Sequence, residues 1–257
     1  MARQWALVTG ASSGLGIEFA KVLAGRNINL VLVARRPEPM ERLAADLRER
    51  MQIEVTVLPL DISAPNSAAT LEHELDTRGI LPTILVNNAA FGFSGEFLGQ
   101  EAASLEEMLR LDVLSLVSLT HVFARKMATA GHGQILLVAS LAAYQPVPLM
   151  AAYAAAKSFV LSFGEALHVE LAPKINVTVV SPGLMETEFF GVANYTPKES
   201  LKASMLPASV VAERGVKAMF DRKPSIVIGK INKVSAFSTR FFSRHVLALL
   251  GYRMTKG

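Results

Sequence analysis

Seven short apolar runs, at 5–8, 28–33, 54–59, 83–86, 134–139, 176–180 and 225–228, punctuate the chain, separated by segments whose apolar residues recur at helical spacing. Runs this short and this apolar read as strands buried on both faces, the condition of a parallel sheet. Met40, Leu43, Ala44, Leu47 and Met51 exemplify the helical pattern. Another segment opens with Ser104 and Glu107, which read as a capping box, and runs to about Thr129 ahead of Gly131. Strand and helix in alternation require right-handed crossovers. The fold class is therefore α/β: a doubly wound, Rossmann-like parallel sheet of about seven strands with helices on both faces.

The 257 residues, 51% hydrophobic and 19% charged, suffice for one large core and argue against disorder. No cysteine is present, which excludes disulfides, thiolate-held metals and a thiol nucleophile. The histidines (His73, His121, His132, His168, His245) are scattered without His-Glu-x-x-His spacing, so no metal site is expected. The N-terminus lacks a signal-peptide pattern, and no stretch reaches the roughly 18 apolar residues of a membrane span. A cytoplasmic protein is the expectation.

The net charge of +4 conceals an asymmetry. Asp221 is the last acidic residue, and Arg222 to Gly257 carries eight Lys and Arg, so the first 221 residues carry −4. The basicity belongs to the tail and gives no support to nucleic-acid binding. That tail interleaves Val234, Phe237, Phe241, Phe242, Val246, Leu247, Leu249 and Leu250 with Lys230, Lys233, Arg240, Arg244 and Arg253. Such a composition suits peripheral contact with an anionic membrane, an acidic substrate such as an acyl-CoA, or a subunit partner; a helix docked on its own domain is the plainer reading. The chain divides into a catalytic domain over 1–229 and a basic amphipathic extension of that domain over 230–257.

The first strand runs into Thr9-Gly10-Ala11-Ser12-Ser13-Gly14-Leu15-Gly16, and a helical pattern follows through Ile17, Ala20 and Leu23. Small residues at such a turn let the backbone approach a pyrophosphate, and the helix N-terminus offers free N–H groups and partial positive charge. A glycine turn that only packs a helix on a sheet is the alternative. At the end of the second strand, where NAD-binding folds place a carboxylate for the ribose 2′-hydroxyl, the chain has Ala34, Arg35 and Arg36. Two guanidiniums suit a 2′-phosphate, which favours NADP(H) over NAD(H), with Arg35 as the contact.

Tyr153 and Lys157, four residues apart, share one helix face. A tyrosine must lose about three pKa units, about 4 kcal/mol, to act near pH 7. A cation about 4 Å away at an effective dielectric of 20 supplies up to about 4 kcal/mol, while desolvation of the phenolate opposes it. Ser140 closes the strand at 134–139, at the carboxyl edge where open α/β sheets bind ligands.

Together, Thr9 to Gly16, Asp61, Asn87-Asn88-Ala89, Ser140, Tyr153, Lys157, Ser181-Pro182-Gly183 and Thr187 resemble the short-chain dehydrogenase/reductase family in order and spacing, from Trp5 to about Phe190. The resemblance implies an NADP(H)-dependent oxidoreductase that interconverts a carbonyl and an alcohol. It implies Tyr153 as acid/base, Ser140 orienting the carbonyl, and Lys157 also binding the nicotinamide ribose. Gly10, Ser12, Ser13, Gly14, Leu15 and Gly16 would cradle the pyrophosphate. Asp61 and Ile62 would lie by the adenine, Asn88, Ala89 and Ala90 by the ribose, and Pro182, Gly183 and Thr187 by the nicotinamide.

The chain departs from the family pattern twice: Ala90 stands where glycine is usual, and Asp112 where asparagine joins a proton relay through Lys157. Asp112 serves that relay if the backbone carbonyl carries it. A dinucleotide-binding sensor or scaffold without turnover is the alternative reading; its support is Asp112, and the intact Ser140, Tyr153 and Lys157 oppose it. A lid over 184–209, with Phe189, Phe190, Tyr195 and Met205, joins Phe91, Phe93, Leu141, Tyr144 and Met150 near the mouth and points to a hydrophobic substrate. The helices at 104–129 and 151–171 resemble those through which family members pair, so a homodimer or homotetramer is expected.

Overall fold

The computed structural model describes residues 3–185 and 205–255. Among them, seven parallel strands form one sheet in the order β3-β2-β1-β4-β5-β6-β7. They are β1 (Trp5–Thr9), β2 (Asn29–Ala34), β3 (Val55–Pro59), β4 (Pro82–Asn87), β5 (Gly133–Val138), β6 (Ile175–Ser181) and β7 (Ser225–Val227). Every apolar run anticipated from the sequence is a strand, with ends shifted by about one residue.

The interiors of β1, β2, β4, β5 and β6 are buried on both faces, as the centre of a parallel sheet requires, while the edge strands β3 and β7 are partly covered. Along β1, Ala6 and Val8 face one core and Leu7 the other; along β2, Leu30 and Leu32 face the first, Val31 and Val33 the second. The first core is covered by α1 (Gly14–Ala24), α2 (Pro37–Met51) and α7 (Ala208–Phe220), which contribute Phe19, Leu23, Met40, Leu47, Val216 and Met219. The second is covered by α3 (Ser67–Thr77), α5 (Leu116–Ala130) and α6 (Ala151–Glu170), through Leu71, Leu75, Leu119, Phe123, Met127 and Val160. On α2 the anticipated apolar stripe is buried from Met40 to Leu47, while Met51, in the last turn, is exposed.

The long helix differs from its sequence reading at its start and in its middle. It begins as α4 (Ala102–Leu109) with Glu101 as N-cap and no side-chain cap, so Ser104 and Glu107 lie inside the first turns and form no capping box. Residues Arg110–Ser115 then widen into a π-helical turn before α5. Ser115 Oγ donates to the Arg110 carbonyl five residues back at 2.9 Å, satisfying an acceptor that the wide turn takes out of α-helical register. Gly131 ends α5 in the left-handed conformation at φ 82°, as anticipated.

After β7 the chain forms α8 (Lys230–Ser238) and α9 (Arg244–Thr255). Strand order reverses between β1 and β4, so the loops after those two strands diverge to opposite faces and leave a crevice at the carboxyl edge, the place where such sheets hold ligands.

Candidate active site

A cavity of about 710 Å³ opens at this crevice, within the range of pockets that enclose small ligands. It runs from the glycine loop past the end of β4 to Ser140, Tyr153 and Lys157.

The glycine loop owes its shape to close backbone contacts. Gly10 has φ +66°, and a Cβ there would stand 2.8 Å from Asn88 Nδ2 and 2.9 Å from the Ala89 Cα. A Cβ on Gly16 would stand 2.1 Å from the Gly10 carbonyl oxygen, a backbone atom that cannot move aside. Gly16 therefore packs the loop and does not line the cavity, whereas Gly10, Ser12, Ser13, Gly14 and Leu15 do. Ser13, the N-cap of α1, places no side chain on the helix N-terminus, which leaves those N–H groups turned to the crevice.

The end of β4 is braced against the same loop. Asn88 Nδ2 donates to the Thr9 carbonyl at 2.9 Å, while Thr9 Oγ1 accepts from the backbone N–H groups of Asn88 and Ala89 at 3.0 and 3.1 Å. The Asn88 carboxamide thus ties the two loops together; Asn88, Ala89 and Ala90 all border the cavity.

At the opposite end, Arg35 and Arg36 border the cavity with Asp61 and Ile62. Arg36 Nη2 donates to Ser12 Oγ at 3.5 Å, so it reaches the glycine loop as well as Arg35 does its own end. Arg35 Nη1 lies 3.4 Å from Glu107 Oε1, an exposed pair. Glu107 is a cavity-lining acid with no local signal for that place, because it comes from α4, 72 residues from Arg35. Burial works to raise the pKa of Asp61, but hydrogen bonds from Ser63, with Arg35 nearby, hold it below the usual carboxylate value.

Ser140, extended at φ −162°, follows β5, and its Oγ accepts from the Ala142 N–H at 3.1 Å. Tyr153 and Lys157 descend from the first turns of α6, 9% and 2% exposed. Lys157 Nζ lies 5.6 Å from the Tyr153 ring centroid and donates to the Val138 carbonyl at 3.3 Å. Asp112, carried on the π-helical turn and 1% exposed, stands behind Lys157 and does not line the cavity. Its Oδ2 lies 3.0 Å from Lys157 Nζ, and its Oδ1 accepts from the Phe91 N–H at 3.1 Å. The Oδ2 contact is a buried ion pair, with Lys157 and Asp112 both sealed from water.

These charges decide the phenol. Burial raises the Tyr153 pKa; Lys157 and the Ser140 hydrogen bond lower it; Asp112 raises it again, and the balance lies above the ordinary value. Burial opposes the charge on Lys157, but Asp112 and Tyr153 outweigh it and the ammonium is stabilised. Lys157 alone is therefore not the whole electrostatic environment of Tyr153. The buried Asp112 offsets it.

Two further residues shape the site. The Pro182 carbonyl accepts from the Leu141 N–H at 2.7 Å, linking the turn after β6 to the segment after Ser140. A Cβ on Gly183 would stand 2.3 Å from Nδ2 of Asn232, a buried residue of α8 that borders the cavity and donates to the Ile228 carbonyl at 2.7 Å. No local motif marks Asn232, which comes 49 residues after the turn that it supports. Thr187 and most of the anticipated lid, including Phe189, Phe190 and Tyr195, lie outside the described residues. Among the described residues no helix is long and apolar enough to cross a membrane.

The fold and this crevice define a doubly wound domain of the dinucleotide-binding kind. Residues 4–198 match the family pattern of the short chain dehydrogenases, and the chain belongs to that family. It is 34% identical over 210 residues to a very-long-chain 3-oxoacyl-CoA reductase of Podospora anserina, covering 78% of this chain and 62% of that protein. A 7beta-hydroxysteroid dehydrogenase of Clostridium sardiniense is 26% identical over 250 residues, 96% of this chain and 94% of that one. A short-chain dehydrogenase from Sphingobium yanoikuyae, solved in complex with NADPH, superposes with a TM-score of 0.82 at 29% identity over 93% of both chains. The chain spans less than two thirds of the length of the Podospora protein. These homologues are oxidoreductases, and the structural neighbour holds a nicotinamide dinucleotide.

Proposed function

We propose that the protein is an NADP(H)-dependent oxidoreductase that interconverts a hydrophobic carbonyl compound and its alcohol, with Tyr153 as the acid/base. The observation that carries this reading is the convergence of Ser140, Tyr153 and Lys157 on one cavity that begins at a glycine loop bordered by two arginines. The loop fits a dinucleotide: its inner side is closed by backbone contact at Gly10 and Gly16, and its outer side, from Ser12 to Leu15, is presented to the cavity.

Ser12 to Leu15 would hold the pyrophosphate, Asp61 and Ile62 the adenine end, Asn88 to Ala90 and Lys157 the ribose, and Pro182 and Gly183 the nicotinamide end. Arg35 and Arg36 would take the 2′-phosphate; Glu107 opposes them in sign, and its partial exposure to water weakens that opposition. The cofactor supplies the hydride when bound. In reduction Ser140 holds the carbonyl oxygen and Tyr153 Oη passes its proton to that oxygen; in oxidation the proton returns. A phenol kept neutral at pH 7 is suited to the donor role.

The remaining wall includes Phe91, Phe93, Val147, Met150, Leu184 and Met185, with the rings of Phe91 and Phe93 edge to face at 5.4 Å. An apolar wall favours a bulky apolar substrate. Exposed Leu109, Leu114, Phe159 and Val169 on α4, the π-helical turn and α6 support pairing with a second copy through these helices.

The test is NADPH oxidation by the purified protein against a panel of hydrophobic ketones, for the parent and Tyr153→Phe. Turnover that the substitution abolishes is expected. NADPH binding with no turnover of any ketone would overturn the enzyme reading in favour of a dinucleotide-binding sensor.

A further inference from the structure

The two C-terminal helices are apolar on the side that faces water. On α8, Asn232 and Ala236 turn inward and are buried, while Ile231, Val234 and Phe237 lie outward, 65, 71 and 57% exposed, and Phe241 continues the stripe at 71%. On α9, Leu247 and Gly251 turn inward, while Val246, Leu249 and Leu250 are outward and exposed. Spacings of three and four residues put each set on one helix face. A solvated docking helix has the reverse pattern, with its apolar stripe against the domain. Among the described residues, the 23 positions from Lys230 to Tyr252 hold nine of the seventeen exposed large apolar side chains.

The charges beside these stripes have one sign. Lys230, Lys233, Arg240, Arg244 and Arg253 are all exposed, and no acidic residue follows Asp221. We infer that α8 and α9 form a docking surface for an anionic lipid bilayer, with the apolar stripes entering the interface and the cations on lipid phosphates and carboxylates. Charge selects this occupant over a second copy of the chain. A two-fold contact sets a patch against itself, so it would press these cations against their own kind. An anionic bilayer supplies the opposite sign and an apolar layer beneath it.

The surface adjoins the candidate active site. Gly251, on the inner face of α9, borders the cavity, and a Cβ there would stand 3.2 Å from the Pro146 carbonyl oxygen and 3.3 Å from Pro148 Cδ. Docking through the outer face of α9 thus brings a bilayer within one helix diameter, about 10 Å, of the cavity rim.

The test is co-sedimentation of the full-length protein with vesicles of phosphatidylcholine alone or with 30% phosphatidylserine, together with its mass in solution. Three proteins are compared: the parent, Val234→Ser/Phe237→Ser/Leu249→Ser, and Lys230→Glu/Lys233→Glu/Arg244→Glu. Circular dichroism and NADPH binding check that the variants fold. The parent should bind the anionic vesicles at least tenfold more tightly than the neutral ones, and either variant should lose at least tenfold. Parent binding that is absent, or equal on both vesicles, overturns the inference. So does a serine variant whose mass falls to a smaller oligomer while its vesicle binding is unchanged, which would make the face a subunit interface.

Discussion

Asp112→Asn separates the two charges that act on Tyr153. Asp112 Oδ2 lies 3.0 Å from Lys157 Nζ, which lies 5.6 Å from the Tyr153 ring centroid, so the carboxylate is within 8.6 Å of the ring. At that separation and an effective dielectric of about 20, two unit charges repel by about 1.9 kcal/mol, which is about 1.4 pKa units. Removing the negative charge favours the phenolate, so the Tyr153 pKa falls. Asparagine keeps an oxygen to accept from the Phe91 N–H, so the π-helical turn should persist, although a buried ammonium without its counter-charge lowers stability by about 3 kcal/mol. The assay is the pH dependence of kcat in both directions with one ketone and its alcohol. Alcohol oxidation needs the phenolate, and its rise with pH should move about 1.4 units toward acid; carbonyl reduction needs the phenol, and its fall should move by the same amount. An inflection that stays within about 0.3 units of the parent, or moves toward alkali, refutes the reasoning, because Asp112 would then not be ionised beside Tyr153.

Three other substitutions probe the site independently. Tyr153→Phe should lower kcat by a factor of about 10² to 10⁴ while the Kd for NADPH, followed by fluorescence titration, changes less than about threefold. Arg35→Ala/Arg36→Ala should weaken NADPH binding by about tenfold or more and leave NADH nearly unchanged, since the lost charge-assisted bonds serve only the 2′-phosphate; equal losses for both would end the NADP(H) assignment. Gly16→Ala should cost about 1 to 3 kcal/mol and lower the Tm by several degrees, because its Cβ meets the Gly10 carbonyl oxygen at 2.1 Å. An unchanged Tm and NADPH affinity would show that the loop has room the backbone contacts deny.

Short-range chemistry accounts for the features legible in the residues alone. Strands of a parallel sheet covered by helices are mostly apolar, so all seven, the partly covered edges β3 and β7 included, were visible as runs, and their alternation with helices left one architecture. The glycine loop is a local backbone demand, Tyr153 and Lys157 are neighbours by helical pitch, and Ser140 follows a strand whose carboxyl edge is the ligand side. Tertiary structure decided whatever depends on residues far apart in the chain. The widened turn at Arg110–Ser115 sets Asp112 behind Lys157, 45 residues away, and makes a basic activating group into half of an ion pair. Glu107 meets Arg35, and Asn232 fills the space in front of Gly183, without any periodicity to announce them. The tail's composition showed apolar and basic residues together, but only the packing of Asn232, Ala236, Leu247 and Gly251 against the domain turned the remaining apolar side chains outward. Period and propensity act within a turn or a strand, whereas burial and charge pairing depend on which distant surfaces the fold brings into contact.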